Sequence, residues 1–507
     1  MRRRPSAAAL AVFLLLAALT NLPYLRAATR APPGTRFVGF FYYIDDAYNY
    51  LSYAQQAEDG ALLFVNKMVP EAHEPALVNL EWLAVGGVSR LLGRRPALAY
   101  RLLGLLVTAA LVVAVDRLLA RRGLSSGRRL AALVLVFTGA GLGGVRLWAG
   151  GVPGQRCLDL VTGMFPFVEL LANPHFATGT LLLLLALAAF ASGRPWAGVG
   201  LGTVLGLVRP YDLGLLVAAR GLGVVIAEPR AAWLRALAPL VGLVPALAYN
   251  AWFFLRDARF ATYASATYPM PPLVDFLPAL GPAVATASLA WRPAAPGTPA
   301  RAAELHLAAW AVAGLVLLLL RPVPYPLQFL VGIGLPLLTL AALGLSRWHV
   351  GVTWAAALAL SSSAVVALRL VSAPSPRWHV PEARIEAALA LRPTCTRRDL
   401  ALTPPDIGLY AAGLTACRVM VGHPAARGFA EREERARSFY GPDDPARRSA
   451  WLDAAGVTRL VLPGDAGEAP TGWLGPGTPF RRVARVGAPQ AEISVYARAE
   501  AAARPAP

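Results

Sequence analysis

Apolar runs long enough to cross a lipid bilayer recur along this chain, from its first residues to about residue 371. A hydrocarbon core about 30 Å thick needs roughly 18 to 20 apolar residues when each helical residue rises about 1.5 Å. In lipid every backbone N–H and C=O must be bonded within the protein, so such runs fold as helices. The 507 residues are 56% hydrophobic and only 15% charged. That leaves too little polar surface to cover a water-soluble chain of this size. The class is therefore a polytopic α-helical membrane protein.

Eleven spans are expected, near 7–25, 97–120, 129–148, 175–193, 196–208, 212–227, 234–255, 272–291, 305–320, 327–345 and 350–371. The halves around Arg209-Pro210-Tyr211-Asp212 are short for a crossing, so this stretch is either two short helices or one broken element. The net charge of +19 rests on arginine, since Lys67 is the only lysine. Many arginines fall in short loops on alternate sides, among them Arg2–Arg4, Arg121, Arg122, Arg128, Arg194, Arg230 and Arg347. That is the positive-inside pattern, and it places the N-terminus in the cytoplasm. With an odd number of spans the C-terminal segment is extracytoplasmic. No module for nucleic acid accompanies the charge, so no nucleic-acid partner is expected. The apolar run behind Met1-Arg2-Arg3-Arg4 reads as a retained anchor or a signal peptide, with Ala27-Ala28 where cleavage falls.

Three regions follow: a membrane domain over 1–371, a Pro/Ser linker over 372–380, and an α/β domain over 381–507. In the first outer loop, 26–96, apolar residues at 47, 50, 51 and 54 give one greasy helical face that ends near Gly60. A second helix is expected from Pro75 to Leu92. Both are too short or too polar to span and are read as interfacial helices. In the C-terminal domain, strands are expected at 399–403, 417–422, 458–462, 480–486 and 492–497, with helices at 381–391, 405–413, 425–439 and 445–455. This alternation predicts a small parallel sheet closed by a hairpin. No Gly-x-Gly-x-x-Gly or Walker loop points to a nucleotide. Cys395 and Cys417 both lie in this domain, either as a disulfide or as two buried thiols; Cys157 is left as an outer-loop thiol.

Polar residues on the outer side carry the candidate chemistry. Asp45 and Asp46 open the first loop helix, where a carboxylate can accept a proton from a hydroxyl; an aspartate there also suits a helix cap and the helix dipole. His73 and Glu74 form a second polar pair in that loop, equally readable as a solvated turn. His175 begins a span and suits a polar cavity. Arg209 and Arg321 sit at outer span ends, where a guanidinium either binds phosphate or reaches to lipid headgroups. Tyr325 and Gln328 follow Arg321 closely. Asp159 and Glu169 lie in the second outer loop.

The stretches "YYIDDAYNYLSYAQQAEDG", "NPHFATGTLLLLLALAAF", "LVRPYDLGLL" and "RPVPYPLQFLVGIGLPLLTLAALGL", with an outer soluble domain, resemble the GT-C superfamily of membrane glycosyltransferases. The resemblance covers roughly 1–371 in architecture. It implies a polyprenyl-phosphate-linked sugar as donor and a glycan or other hydroxyl as acceptor. It also implies Asp45 or Asp46 as general base, and His175, Arg209 or Arg321 steadying the departing phosphate. Such a phosphate leaves readily, so no general acid is required, and inverting transfer is expected. The protein-mannosyltransferase branch has Asp-Glu where this chain has Asp-Asp. The further acidic motifs of the metal-dependent oligosaccharyltransferase branch are not matched, so neither a metal nor any other cofactor is expected. On this reading Asp45, Asp46, His175, Arg209 and Arg321 share one outward cavity in the cell (inner) membrane. A transporter for a lipid-linked glycan would show inverted repeats, and none is seen. A non-catalytic assembly protein would tolerate loss of both aspartates.

Overall fold

The computed structural model describes residues 5–148, 157–161, 163–256, 270–441, 444–463, 471–475, 477–487 and 492–499. In chain order the helices up to residue 372 begin with α1 (Ala7–Thr29), α2 (Ile44–Glu58), α3 (Leu80–Leu91), α4 (Pro96–Arg121), α5 (Ser126–Thr138), α6 (Gly143–Trp148), α7 (Leu158–Val161) and α8 (Pro166–Ala172). They continue with α9 (Pro174–Ala191), α10 (Pro195–Gly206), α11 (Pro210–Ala227), α12 (Arg230–Phe254), α13 (Leu273–Ala290), α14 (Pro299–Leu320), α15 (Pro326–Leu345) and α16 (Val350–Ser372). Among the described residues nine are long and apolar enough to cross a membrane: α1, α4, α9 and α11 to α16.

Two of the eleven expected spans are shorter than a crossing. The run 129–148 breaks after α5, because Gly139 turns to extended backbone and the next amides leave the helix. Ala140 N donates to Leu360 O at 2.8 Å and Leu142 N to Pro278 O at 2.8 Å. A Cβ at Gly141 would stand 2.2 Å from Ala279 O, so this approach needs a glycine. The run 196–208 becomes the 12-residue α10. Arg209 is extended, as the residue before a proline prefers, and Pro210 then starts the 18-residue α11 without needing an N–H partner.

The chain forms two compact units. In the first, which holds the apolar helices, α15 is the core: every residue from Gly334 to Leu345 is buried. A helix apolar on all sides belongs inside a bundle. Next to it, α11 and α14 are tied by Arg220, whose Nη1 lies 2.7 Å from His306 Nε2.

The second unit joins Ala27–Ala99 to the chain from Pro374 onward. Strand β1 (Thr35–Phe37) pairs antiparallel with β2 (His379–Pro381), in the register Thr35 to Pro381. After β2 come α17 (Glu382–Leu391), β3 (Leu400–Leu402), α18 (Pro405–Leu414), β4 (Arg418–Val419), α19 (Phe429–Tyr440), α20 (Pro445–Ala455), β5 (Arg459–Pro463), β6 (Phe480–Val486) and β7 (Ile493–Arg498). The sheet order is β4-β3-β5-β7-β6. β3 is parallel to β4 and β5, while β7 is antiparallel to β5 and β6. Leu402, Phe439, Leu452, Leu460, Leu462 and Tyr496 form its core. Cys395 and Cys417 are disulfide-bonded, and Cys157 is free and buried.

The first loop departs from expectation in three ways. It groups with the C-terminal segment rather than with the spans, through the β1–β2 ladder. Its second helix starts at Leu80 instead of Pro75, because the Asn79 side chain accepts the amides of Glu81 and Trp82 and fixes the start there. The face of α2 read as interfacial is covered by protein, since α2 packs on α3 and α18 and most of its residues are buried.

Candidate functional site

In the second unit the acidic pair sits in the first turn of α2. The helix is opened by Tyr43, in the left-handed region at φ 50, and no side chain caps it. Neither aspartate is therefore spent on capping, although both suit the positive helix end. The helix is held by close packing. A Cβ on Gly413 of α18 would lie 2.6 Å from Tyr48 Cδ1, so only glycine lets α2 come this near. The Tyr48 ring meets Tyr410 edge-on at 4.8 Å, and its hydroxyl donates to Val38 O at 3.0 Å.

This packing brings a histidine of the C-terminal segment to the acidic pair. His423 Nε2 lies 3.1 Å from Asp46 Oδ1; the histidine side chain is 5% exposed and the aspartate 42%. His423 Nδ1 accepts the Ala425 amide at 3.0 Å. Asp45 is exposed and accepts no hydrogen bond among the described residues. Although it reaches solvent, the protein packed around its base removes enough water to raise its carboxyl above the usual range. The Asp46 charge adds to that rise.

His73 and Glu74 lie nearby in sequence but serve the loop. His73 Nε2 accepts the Asn66 amide at 2.8 Å, and Nδ1 faces Glu71 O at 2.9 Å. Glu74 is exposed. Lys67 is buried and donates to Gln55 Oε1 of α2 and to Thr415 O, both at 2.5 Å. Burial pushes its amine down to about 7. Val419 of β4 donates to Lys67 O at 3.0 Å, so the stretch around Lys67 runs beside the sheet edge.

In the first unit Arg209 is engaged by Asp212 and Gln328. Arg209 Nε donates to Asp212 Oδ2 at 2.8 Å, and its Nη2 donates to Asp212 Oδ1 at 3.3 Å and Gln328 Oε1 at 3.1 Å. Arg209 and Asp212 are 4% and 3% exposed, and the guanidinium lies over the Phe176 ring at 4.5 Å. His175 is buried at the start of α9; its amide donates to Tyr100 Oη, whose hydroxyl donates to Asn173 Oδ1 at 2.5 Å. Arg321 ends α14 in the left-handed region at φ 50, its amide donating to Leu317 O at 3.0 Å; it is exposed, and its side chain makes no hydrogen bond or ion pair among the described residues. Tyr325 precedes the turn that carries Gln328 and is half-buried.

The two acids expected in the second outer loop, Asp159 and Glu169, are buried in this unit. Glu169 is 0% exposed, accepts the Thr180 hydroxyl at 3.3 Å, and has an Oε2 without a partner among the described residues. Burial pushes its carboxyl up to about 8, against the pull of Arg209. Asp159 accepts from Ser363 Oγ at 2.5 Å and from the Gly143 amide at 3.1 Å. Among the described residues no group of three or more His, Cys, Asp or Glu is placed to hold a metal ion. His423 is the residue of the acidic cluster on α2 that the sequence pattern did not mark. It lies 377 residues from Asp46, and its only local signal is a histidine just past a predicted strand.

The apolar helices and the mixed C-terminal sheet have the fold of a solved membrane enzyme structure. Two oligosaccharyltransferase structures from Archaeoglobus fulgidus are similar to this chain. The one in complex with Zn and sulfate is 13% identical, with a TM-score of 0.50 over 92% of this chain and 68% of that one. The other, described as AglB in complex with an inhibitory peptide and a dolichol-phosphate, is 12% identical, with a TM-score of 0.45 over 90% and 69%. At these identities the likeness is one of fold. No protein-family model matches the chain, and no curated protein matches it.

Proposed function

We propose that this protein is a membrane glycosyltransferase that moves a sugar from a polyprenyl-phosphate-linked donor to an acceptor hydroxyl, with an aspartate of the first loop as general base. The observation that carries the reading is the likeness in fold to a solved oligosaccharyltransferase over 92% of the chain, joined to an acidic pair that opens α2 without capping it. The base takes the hydroxyl proton, and the acceptor oxygen bonds to the anomeric carbon. The bond from that carbon to the phosphate oxygen breaks, and polyprenyl phosphate leaves with the electron pair. A single displacement of this kind inverts the anomeric centre. Arg321, exposed and unengaged, is the cation we assign to the departing phosphate, with Tyr325 beside it in sequence. Arg209 is already committed to Asp212 and Gln328, and supports its helix junction. The similar oligosaccharyltransferase holds zinc. Among the described residues Asp46 and His423 make a pair rather than a three-ligand set, and the steps above are written on this chain's own residues.

The topology supports the outer face. The β1–β2 ladder requires the first loop and the C-terminal segment to lie on one side of the membrane. The number of crossings between them must then be even, and eight of the nine long helices lie between them. With the basic N-terminus in the cytoplasm of a cell (inner) membrane, both segments are extracytoplasmic.

The test is donor turnover by the purified full chain reconstituted in sealed lipid vesicles, with a panel of polyprenyl-phosphate sugars and hydroxyl acceptors. Release of free polyprenyl phosphate with a glycosylated acceptor is expected. Donor that crosses the bilayer unhydrolysed and untransferred would overturn the reading in favour of a transporter.

A further inference from the structure

We infer that His423, supplied by the C-terminal α/β segment, is a positioning residue that anchors Asp46 and leaves Asp45 as the carboxylate that takes the acceptor's proton. The inference rests on the glycosyltransferase reading and adds to it the division of labour between the two acids. It begins with the proton on the histidine ring. A backbone amide can only donate, so the Ala425 amide at 3.0 Å requires a lone pair on Nδ1. The ring proton is then on Nε2, which points at Asp46 Oδ1 at 3.1 Å. His423 is thus a donor of fixed tautomer, held on one side by backbone and on the other by the acid.

Helix geometry separates the two aspartates. Neighbouring residues are turned by about 100° around a helix axis, so when Asp46 faces His423 its neighbour faces elsewhere. Asp45 is the more exposed and accepts no hydrogen bond among the described residues, so its lone pairs are available to a substrate hydroxyl. Its raised carboxyl supports the same choice, because a base is most effective when its pKa approaches the working pH. Asp46 is half open to solvent, yet its inner oxygen is fixed. Fixing Asp46 also fixes the first turn of α2, and with it the direction of Asp45. A misplacement of about 1 Å in such a group can cost on the order of a hundredfold in rate.

The C-terminal segment therefore does more than cover the first loop. It enters the acidic site through one side chain carried on the loop after β4. That loop is held by the edge of the sheet, where Met420 N donates to Ala401 O at 3.0 Å.

The test compares full-length wild type with His423→Ala, His423→Gln, Asp46→Asn and Asp45→Asn, by steady-state transfer and by carbodiimide labelling of carboxyls read by mass spectrometry. His423→Ala should lower kcat by about a hundredfold with the donor KM little changed. His423→Gln should recover most of that loss, because its amide N–H can still donate to Asp46. Asp46→Asn should cost less than Asp45→Asn. In wild type Asp45 should label faster than Asp46, and the difference should vanish in His423→Ala. Unchanged kcat in His423→Ala, or a larger loss in Asp46→Asn than in Asp45→Asn, would overturn the inference while the glycosyltransferase reading stands. Wild type inert on every donor would remove that reading instead. The labelling would then still decide whether His423 holds Asp46: equal labelling of the two acids in wild type and in His423→Ala contradicts it.

Discussion

Two polar clusters of this protein treat charge in opposite ways. In the first unit Arg209 and Asp212 are both buried, joined by two hydrogen bonds, and backed by Gln328 and the Phe176 ring. Each charge is satisfied inside the protein, and little is left for a substrate. In the second unit Asp46 is held by one buried histidine while nearly half its side chain meets solvent, and Asp45 beside it is unengaged. The contrast separates architecture from chemistry. A pair that is buried and mutually neutralised holds a helix junction, whereas an acid held on one side keeps its other side for a reaction. Both clusters lie at helix N-termini, so position in the sequence pattern alone does not tell them apart.

The largest effect on stability should come from breaking the Arg209 pair. Arg209→Met leaves Asp212 buried without a partner and should cost about 3 to 5 kcal/mol, read as a large fall in the melting temperature of the purified protein. The double variant Arg209→Met/Asp212→Leu should recover much of that loss, as an architectural pair requires. If the double variant is as unstable as the single one, the two charges act independently and the contrast weakens. Removing the Cys395–Cys417 disulfide by substitution with serine should cost about 2 to 4 kcal/mol, because the cross-link restrains the unfolded chain. Reductant should then shift the melting of wild type but not of the variant. Gly413→Ala should cost about 1 to 3 kcal/mol by pushing Tyr48 and α2 away from α18. It should also lower transfer, since α2 carries the acidic pair.

A separate effect is the pH dependence due to Lys67. Its folded pKa is near 7 against an ordinary 10.5. Between those values the unfolded chain holds a proton that the folded chain has lost, so stability should rise with pH across that window. Lys67→Met should flatten the rise seen in denaturation at pH 7 to 10. An unchanged slope would place its source elsewhere.

Patterns of short range were legible in the sequence. The five C-terminal strands and four helices fall where period and turn residues placed them, because each is a local choice of backbone and burial. Nine of the eleven expected spans are long apolar helices. The other two failed for reasons hydropathy does not carry: glycines at 139–144 that let neighbouring helices take over the backbone bonds, and the extended Arg209 before Pro210. The union of the first loop with the C-terminal segment was not legible. It rests on three-residue strands, Thr35–Phe37 and His379–Pro381, with no periodicity long enough to read. Asp45 and Asp46 were found as an acidic pair on a helix start, but their inequality depends on His423, a contact across most of the chain.

The central claim is that an acid of the first loop performs proton transfer in glycosyl transfer. It is tested most directly by single-turnover transfer with a polyprenyl-phosphate sugar that wild type accepts, comparing wild type with Asp45→Asn from the same preparation at matched melting temperature. The account predicts a loss of about 10² to 10⁴ in the transfer rate with donor binding retained. Equal rates in the two proteins would contradict it.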